Sequence, residues 1–204
     1  MFSLDTKSIG SKNKISDNVK ILEVDEFGNT MTVYPQRLEG VYINKEDVAL
    51  VMKNSKGEIE SMIINDITGD TAKYGILESI NEGRDNETYT CTIDGNLKDY
   101  SNSEISFSVK EGPVQIYLEG QTLGKIKNLE KIDGSIVNIN NSYLENSKGE
   151  KIKVASNVVV YLRENSEYNL STIENAMNGN YSISAYYDKE EKDGGRVRLI
   201  VISQ

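Results

Sequence analysis

Histidine and tryptophan are absent from this 204-residue sequence, cysteine occurs once and proline twice. Without histidine the commonest general base and metal ligand is missing, so Ser-His-Asp and Cys-His nucleophile systems and the HExxH zinc helix are all excluded. One cysteine, Cys91, permits neither an intramolecular disulfide nor a four-cysteine zinc site. It lies in the run Tyr89-Thr90-Cys91-Thr92-Ile93, where alternation turns it inward as a small hydrophobe. No stretch approaches the roughly 18 apolar residues of a membrane-spanning helix, so no membrane insertion is expected. Neither glycine-rich phosphate-binding pattern occurs.

Positive charge is also in short supply. Thirty-two acidic against twenty-three basic residues give a formal net charge of -9. The two signs are interspersed, which disfavours a nucleic-acid groove, because phosphate neutralisation needs clustered Lys and Arg. Residues Met1 to Gly10 hold no basic segment followed by an apolar one. They lead directly into what reads as the middle of a pattern, so the chain is expected to be part of a longer one.

What is present is strand-forming. Hydrophobic residues make up 37% of the chain and much of that is Tyr, Val and Ile, which suit a pleated, half-buried surface. Alternating runs occur at Val19–Val24, Thr30–Tyr34, Val48–Met52, Ile59–Ile64, Tyr74–Ile80, Tyr89–Ile93, Ile105–Val109, Val114–Leu118, Ile136–Ile139, Val158–Leu162, Tyr181–Tyr187 and Val197–Ile202. Glycine-containing turns such as Phe27-Gly28-Asn29, Asp94-Gly95 and Asp193-Gly194-Gly195 separate them. Ser171-Thr172-Ile173-Glu174 is a capping-box pattern that predicts one short helix, stopped at Asn178-Gly179.

The two ends of the chain share a grammar. Lys14 to Leu22 lines up with Lys153 to Tyr161, each with an Asn-Val step. Ala49 to Met52, a charged loop and Ile59 to Ile64 then correspond to Ser184 to Tyr187, a charged loop and Val197 to Val201. A duplicated supersecondary unit follows, because a lone hairpin cannot bury its apolar face. The expectation is an all-β protein of small β-barrel or sandwich units: a first unit over 1–69, a central domain over 70–151 and a second, related unit over 152–204. Strand edges are natural surfaces for self-association.

Candidate chemistry is thin. Asp25 with Glu26, or Asp66 with Asp70, offers paired carboxylates for glycosidase work, but in turn-like contexts and without the Trp platforms that line such clefts. Asn65 to Asp70 gathers several oxygens, yet lacks the Asp-x-Asp-x-Asp-Gly order and distal Glu of a calcium loop. Asp188 to Asp193 reads as a solvated hairpin tip. No catalytic, cofactor-binding or metal-binding residue is assigned. A ligand-binding module for wall polysaccharide or a protein partner is the alternative, using Tyr100, Tyr143 or Tyr168 for stacking.

Ile64 through Ile76, Ala185 through Asp188, and Gly194 through Val201 resemble the β-rich region that accompanies surface-layer homology modules in cell-wall proteins of clostridia and related Gram-positive bacteria. The resemblance spans roughly Lys14 to Ser203 and rests on structural punctuation. It implies an extracellular, wall-associated location and a scaffold or spacer role, with other modules of the same protein or wall components as partners. The wall-binding signature of those modules is missing here, so no binding residue is carried over.

Overall fold

A computed structural model describes residues 1–83, 87–102 and 105–204, and the chain in it is all-β. It divides into two compact units, one of Met1–Thr71 with Lys189–Gly195 and one of Ala72–Asp188 with Arg196–Gln204.

The first unit is a single sheet. Its strands are β1 (Phe2–Ser3), β2 (Ser8–Ile9), β3 (Asn13–Val24), β4 (Thr30–Val33), β5 (Val48–Lys53) and β6 (Ile59–Asn65). They run in the order β1-β2-β3-β6-β5, with β4 also on β3. Alternation along β3 sends Ile15, Val19 and Ile21 into a core with Phe2, Val33, Leu38, Val41, Ile59, Met62, Ile64 and Ile67. Asp25 closes the β3–β4 turn, its Oδ1 accepting from the backbone N–H groups of Phe27 and Asn29, both at 2.9 Å. Pro35 opens a 3-10 turn, where its missing N–H costs no hydrogen bond.

The second unit holds two sheets. The central one contains β7 (Lys73–Glu82), β8 (Glu87–Ile93), β9 (Asn96–Asn102), β10 (Gly112–Glu119) and β11 (Thr122–Asn128), ordered β11-β10-β7-β8-β9. It curls until its outer strands approach, with Asn102 Nδ2 donating to Leu123 O at 2.7 Å. Asp94-Gly95 forms the two-residue β8–β9 turn with both φ angles positive, at 52° and 74°, as a primed hairpin turn requires. Ile105–Val109, expected as a strand, is irregular: Phe107 instead packs edge-on to Tyr89 at 5.6 Å and donates its N–H to the Tyr89 hydroxyl.

The other sheet is built from β12 (Glu130–Lys131), β13 (Ile136–Ile139), β14 (Tyr143–Asn146), β15 (Lys151–Glu164), β16 (Glu167–Ser171), β17 (Ser182–Tyr187) and β18 (Val197–Ser203). Its order is β12-β17-β18-β15-β14-β13, with β16 also on β15, so residues 130–146 pair here and not with the central sheet. A short helix, α1 (Ile173–Asn178), follows β16; its N-cap is Thr172, whose hydroxyl accepts from Asn175 N, and not Ser171.

The pairing within this sheet follows that of the first unit. The long strand runs parallel to its partner in both, through Ile15–Ile59 then Lys20–Ser61 in one and Val154–Val197 then Val159–Leu199 in the other. Both ladders thus bulge at one place, by the same number of residues. Leu50, Val51, Met52 and Lys53 face Ile63, Met62, Ser61 and Ile59, just as Ser184, Ala185, Tyr186 and Tyr187 face Val201, Ile200, Leu199 and Val197. Leu50, and not Ala49, therefore corresponds to Ser184: the loops between the strands differ in length, which composition alone did not locate.

Candidate functional site

The most elaborate polar cluster lies in the second unit and centres on Arg198, whose side chain is wholly buried on β18. Arg198 Nε donates to Asp188 Oδ2 at 2.8 Å and Nη1 to Asn157 Oδ1 at 3.2 Å, while its guanidinium stands 4.9 Å from the ring centroid of Tyr74. Asp188 also accepts from Tyr74 OH at 3.1 Å and from Arg196 N at 2.9 Å. Gln115 extends the chain, its Nε2 donating to the hydroxyls of Tyr74 and Tyr117 at 2.9 and 2.8 Å. The cluster thus pairs a buried carboxylate with a buried cation and neutralises both. Asp188 is accordingly not part of a solvated tip. Burial of its side chain was hidden from sequence because its cation sits across the hairpin and its hydroxyl donor lies in the central sheet.

A second cluster occupies the first unit. Glu23, fully buried on β3, accepts from both the N–H and the hydroxyl of Thr68. Burial pushes its carboxyl above the ordinary range, with the charges of Asp70 and Asp66 adding to the rise and the Thr68 hydrogen bonds opposing it. Arg37 Nη2 donates to Thr68 O at 2.8 Å and to Gly194 O at 2.7 Å, and its Nε reaches Asp70 Oδ2 at 3.2 Å. Within the Asn65–Asp70 loop, Thr68 O and the Asp70 carboxylate thus serve a guanidinium, and Asp66 O accepts from Lys189 Nζ. Asp70 is thus engaged by Arg37, and Asp25 is spent on its own turn.

The other candidates also have structural places. Cys91 is fully buried in the central core and desolvation drives its thiol up to about 12. Tyr100 belongs to the same core and offers no stacking face. Tyr143 and Tyr168 are half-buried beneath cations, Lys151 at 5.1 Å and Arg163 at 5.6 Å. The tyrosines that are open are Tyr34 and Tyr42, 73% and 53% exposed, which strand periodicity did not single out.

Tyr34 borders the surface best suited to recognition. The outward face of the first sheet carries Leu22, Leu50, Met52 and Ile63 with Thr32 and Tyr34, lining an open groove of about 460 Å³. Leu50 and Met52 are 50% and 53% exposed. Exposed apolar groups gathered on one strand face form a candidate interaction surface. The corresponding face of the β15–β18 sheet is covered by the central sheet: Tyr161 and Leu199 there are wholly buried, and Tyr161 OH donates to Thr92 O at 3.1 Å. Among the described residues no helix is long and apolar enough to cross a membrane, and no three metal-ligating side chains gather.

Fold and surface together define an all-β protein with two largely buried polar clusters and an exposed apolar strand face. Comparison with models of protein families, with curated proteins and with solved structures finds no match.

Proposed function

We propose that the chain is a non-catalytic structural and interaction segment of a bacterial cell-surface protein, wall-associated and extracellular, which serves as a scaffold or spacer between other modules. The observation that carries this reading is the coincidence of ladder registers in the first and last sheets, bulge included. Two copies of one supersecondary unit, each closing its own core, make a segment that extends by repetition and needs no catalytic centre. The internal use of the Arg198–Asp188 and Arg37–Asp70 pairs agrees with it. Antibody raised against the chain should label intact cells of the producing bacterium, and the epitope should vanish on protease shaving without lysis. A signal found only after lysis would remove the surface reading.

A ligand-binding module is the second reading, favoured by the groove beside Tyr34. Purified wall polysaccharide should then retain the chain, and Met52→Asp should abolish retention.

A further inference from the structure

In the last sheet β17 is not an edge. The β12 segment lies beside it antiparallel, with Glu130 opposite Tyr187 and Lys131 opposite Tyr186. Ile132 N donates to Ala185 O at 2.9 Å, and Tyr187 OH donates to Glu130 Oε2 at 2.7 Å. That strand seals the core: Ile132 and Ala185 are 5% and 1% exposed. The strand in the same ladder position of the first sheet is β5, which is the last strand on its side among the described residues. Val51 stands where Ala185 does and is 39% exposed; Lys53 stands where Tyr187 does.

Register fixes what would fit. A residue whose C=O faces outward in an antiparallel strand turns its N–H the same way, so the backbone of Val51, like that of Ala185, faces the open side. The donor at the next such position is conserved in kind, a Tyr187 hydroxyl in one sheet and a Lys53 ammonium in the other, and both suit a carboxylate. An apolar side chain two residues beyond that carboxylate would cover Val51 as Ile132 covers Ala185.

We infer that β5 is an acceptor edge for an extended strand of another polypeptide segment, lying antiparallel, with an acidic residue opposite Lys53 and an aliphatic residue opposite Val51. The inference deepens the interaction-segment reading and rests on it through the shared register. It goes beyond the apolar face in naming the backbone ladder as the source of affinity and the Lys53 charge as the source of register.

The test uses the full chain, labelled with ¹⁵N, and a synthetic peptide of the sequence Asn128 to Gly134. Amide shifts and slowed exchange should appear at Val51 and Lys53. The β17 amides should stay unchanged, because the chain's own β12 competes there at intramolecular concentration. A peptide methylated on the nitrogen of its isoleucine should not bind, since that N–H is the donor to the Val51 carbonyl. Glu130→Lys in the peptide should weaken binding about two- to threefold, the size of an exposed ion pair, and Lys53→Glu in the chain should restore it. A silent β5 at the highest soluble peptide concentration, or equal binding by the methylated peptide, overturns the inference. Cell-surface labelling needs no peptide, so a surface-exposed chain with a silent β5 leaves the module reading intact.

Discussion

Arg198 shows what a buried ion pair commits a small protein to. Its partner Asp188 has a side chain 1% exposed, so Arg198→Met leaves a carboxylate in a dry site without that cation, still accepting from Tyr74 OH and Arg196 N. Loss of one partner of such a pair costs about 3–5 kcal/mol. Urea denaturation should show that loss, and Asp188→Asn in the same chain should recover part of it. Glu23 gives a pH signature. Its folded pKa lies above the unfolded value, so the folded state holds the proton more tightly, and its contribution is fully present below the unfolded pKa. That contribution fades as pH rises through the folded value. The stability difference between the wild type and Glu23→Gln should therefore change across the window just above the ordinary glutamate range and be flat beyond it; a pH-independent difference would contradict the burial argument. Cys91, held at about 12, should resist alkylation at pH 8 until the chain is unfolded.

Elements were legible where apolar residues alternate and obscure where they do not. Each of β3 to β8, β10, β13, β15, β17 and β18 overlaps an alternating run; outside β5, which buries no residue, at least one face is buried and the pattern records it. By contrast β9, Asn-Leu-Lys-Asp-Tyr-Ser-Asn, buries only Tyr100 and is held by its ladder to β8, which composition does not encode. Ile105–Val109 has the alternation without the strand, since Phe107 finds its partner in Tyr89 and not in a ladder. The apolar face of the first sheet was invisible for a related reason: Leu22, Leu50 and Met52 read as strand residues, and nothing local says which face of a strand is left uncovered. Within β7, Gly75 is required by space. A Cβ there would collide with Thr92 O and the Ile93 side chain on β8. Gly75→Ala should destabilise the central sheet by about 1–3 kcal/mol, the usual cost of overpacking, measured as a lowered denaturation midpoint.

At the scale of the whole molecule, sequence order and cooperative units part company. The sequence suggests three consecutive segments, and three separate apolar clusters do exist. Yet Lys189–Gly195, inserted between β17 and β18, belongs with the first seventy residues. Hydrogen bonds that hold it there include Lys189 Nζ to Asp66 O at 2.8 Å, Arg37 Nη2 to Gly194 O at 2.7 Å, and Tyr42 N to Lys192 O at 2.8 Å. Gly194, with φ of 90°, lies so close to Ile67 that a Cβ would meet its carbonyl. Arg37→Ala removes the guanidinium that serves Thr68, Asp70 and Gly194 together, and breaking a largely buried pair from one side costs about 3 kcal/mol. Because local stability is distributed over cooperative units, the cost should fall on one of them. Hydrogen exchange read by mass spectrometry should show faster exchange in peptides from β1 to β6 and from residues 189–195 together, while β7 to β11 and β18 keep their protection. Uniform acceleration along the chain would mean that the two units unfold as one; unchanged exchange at 189–195 would mean that the loop owes nothing to Arg37.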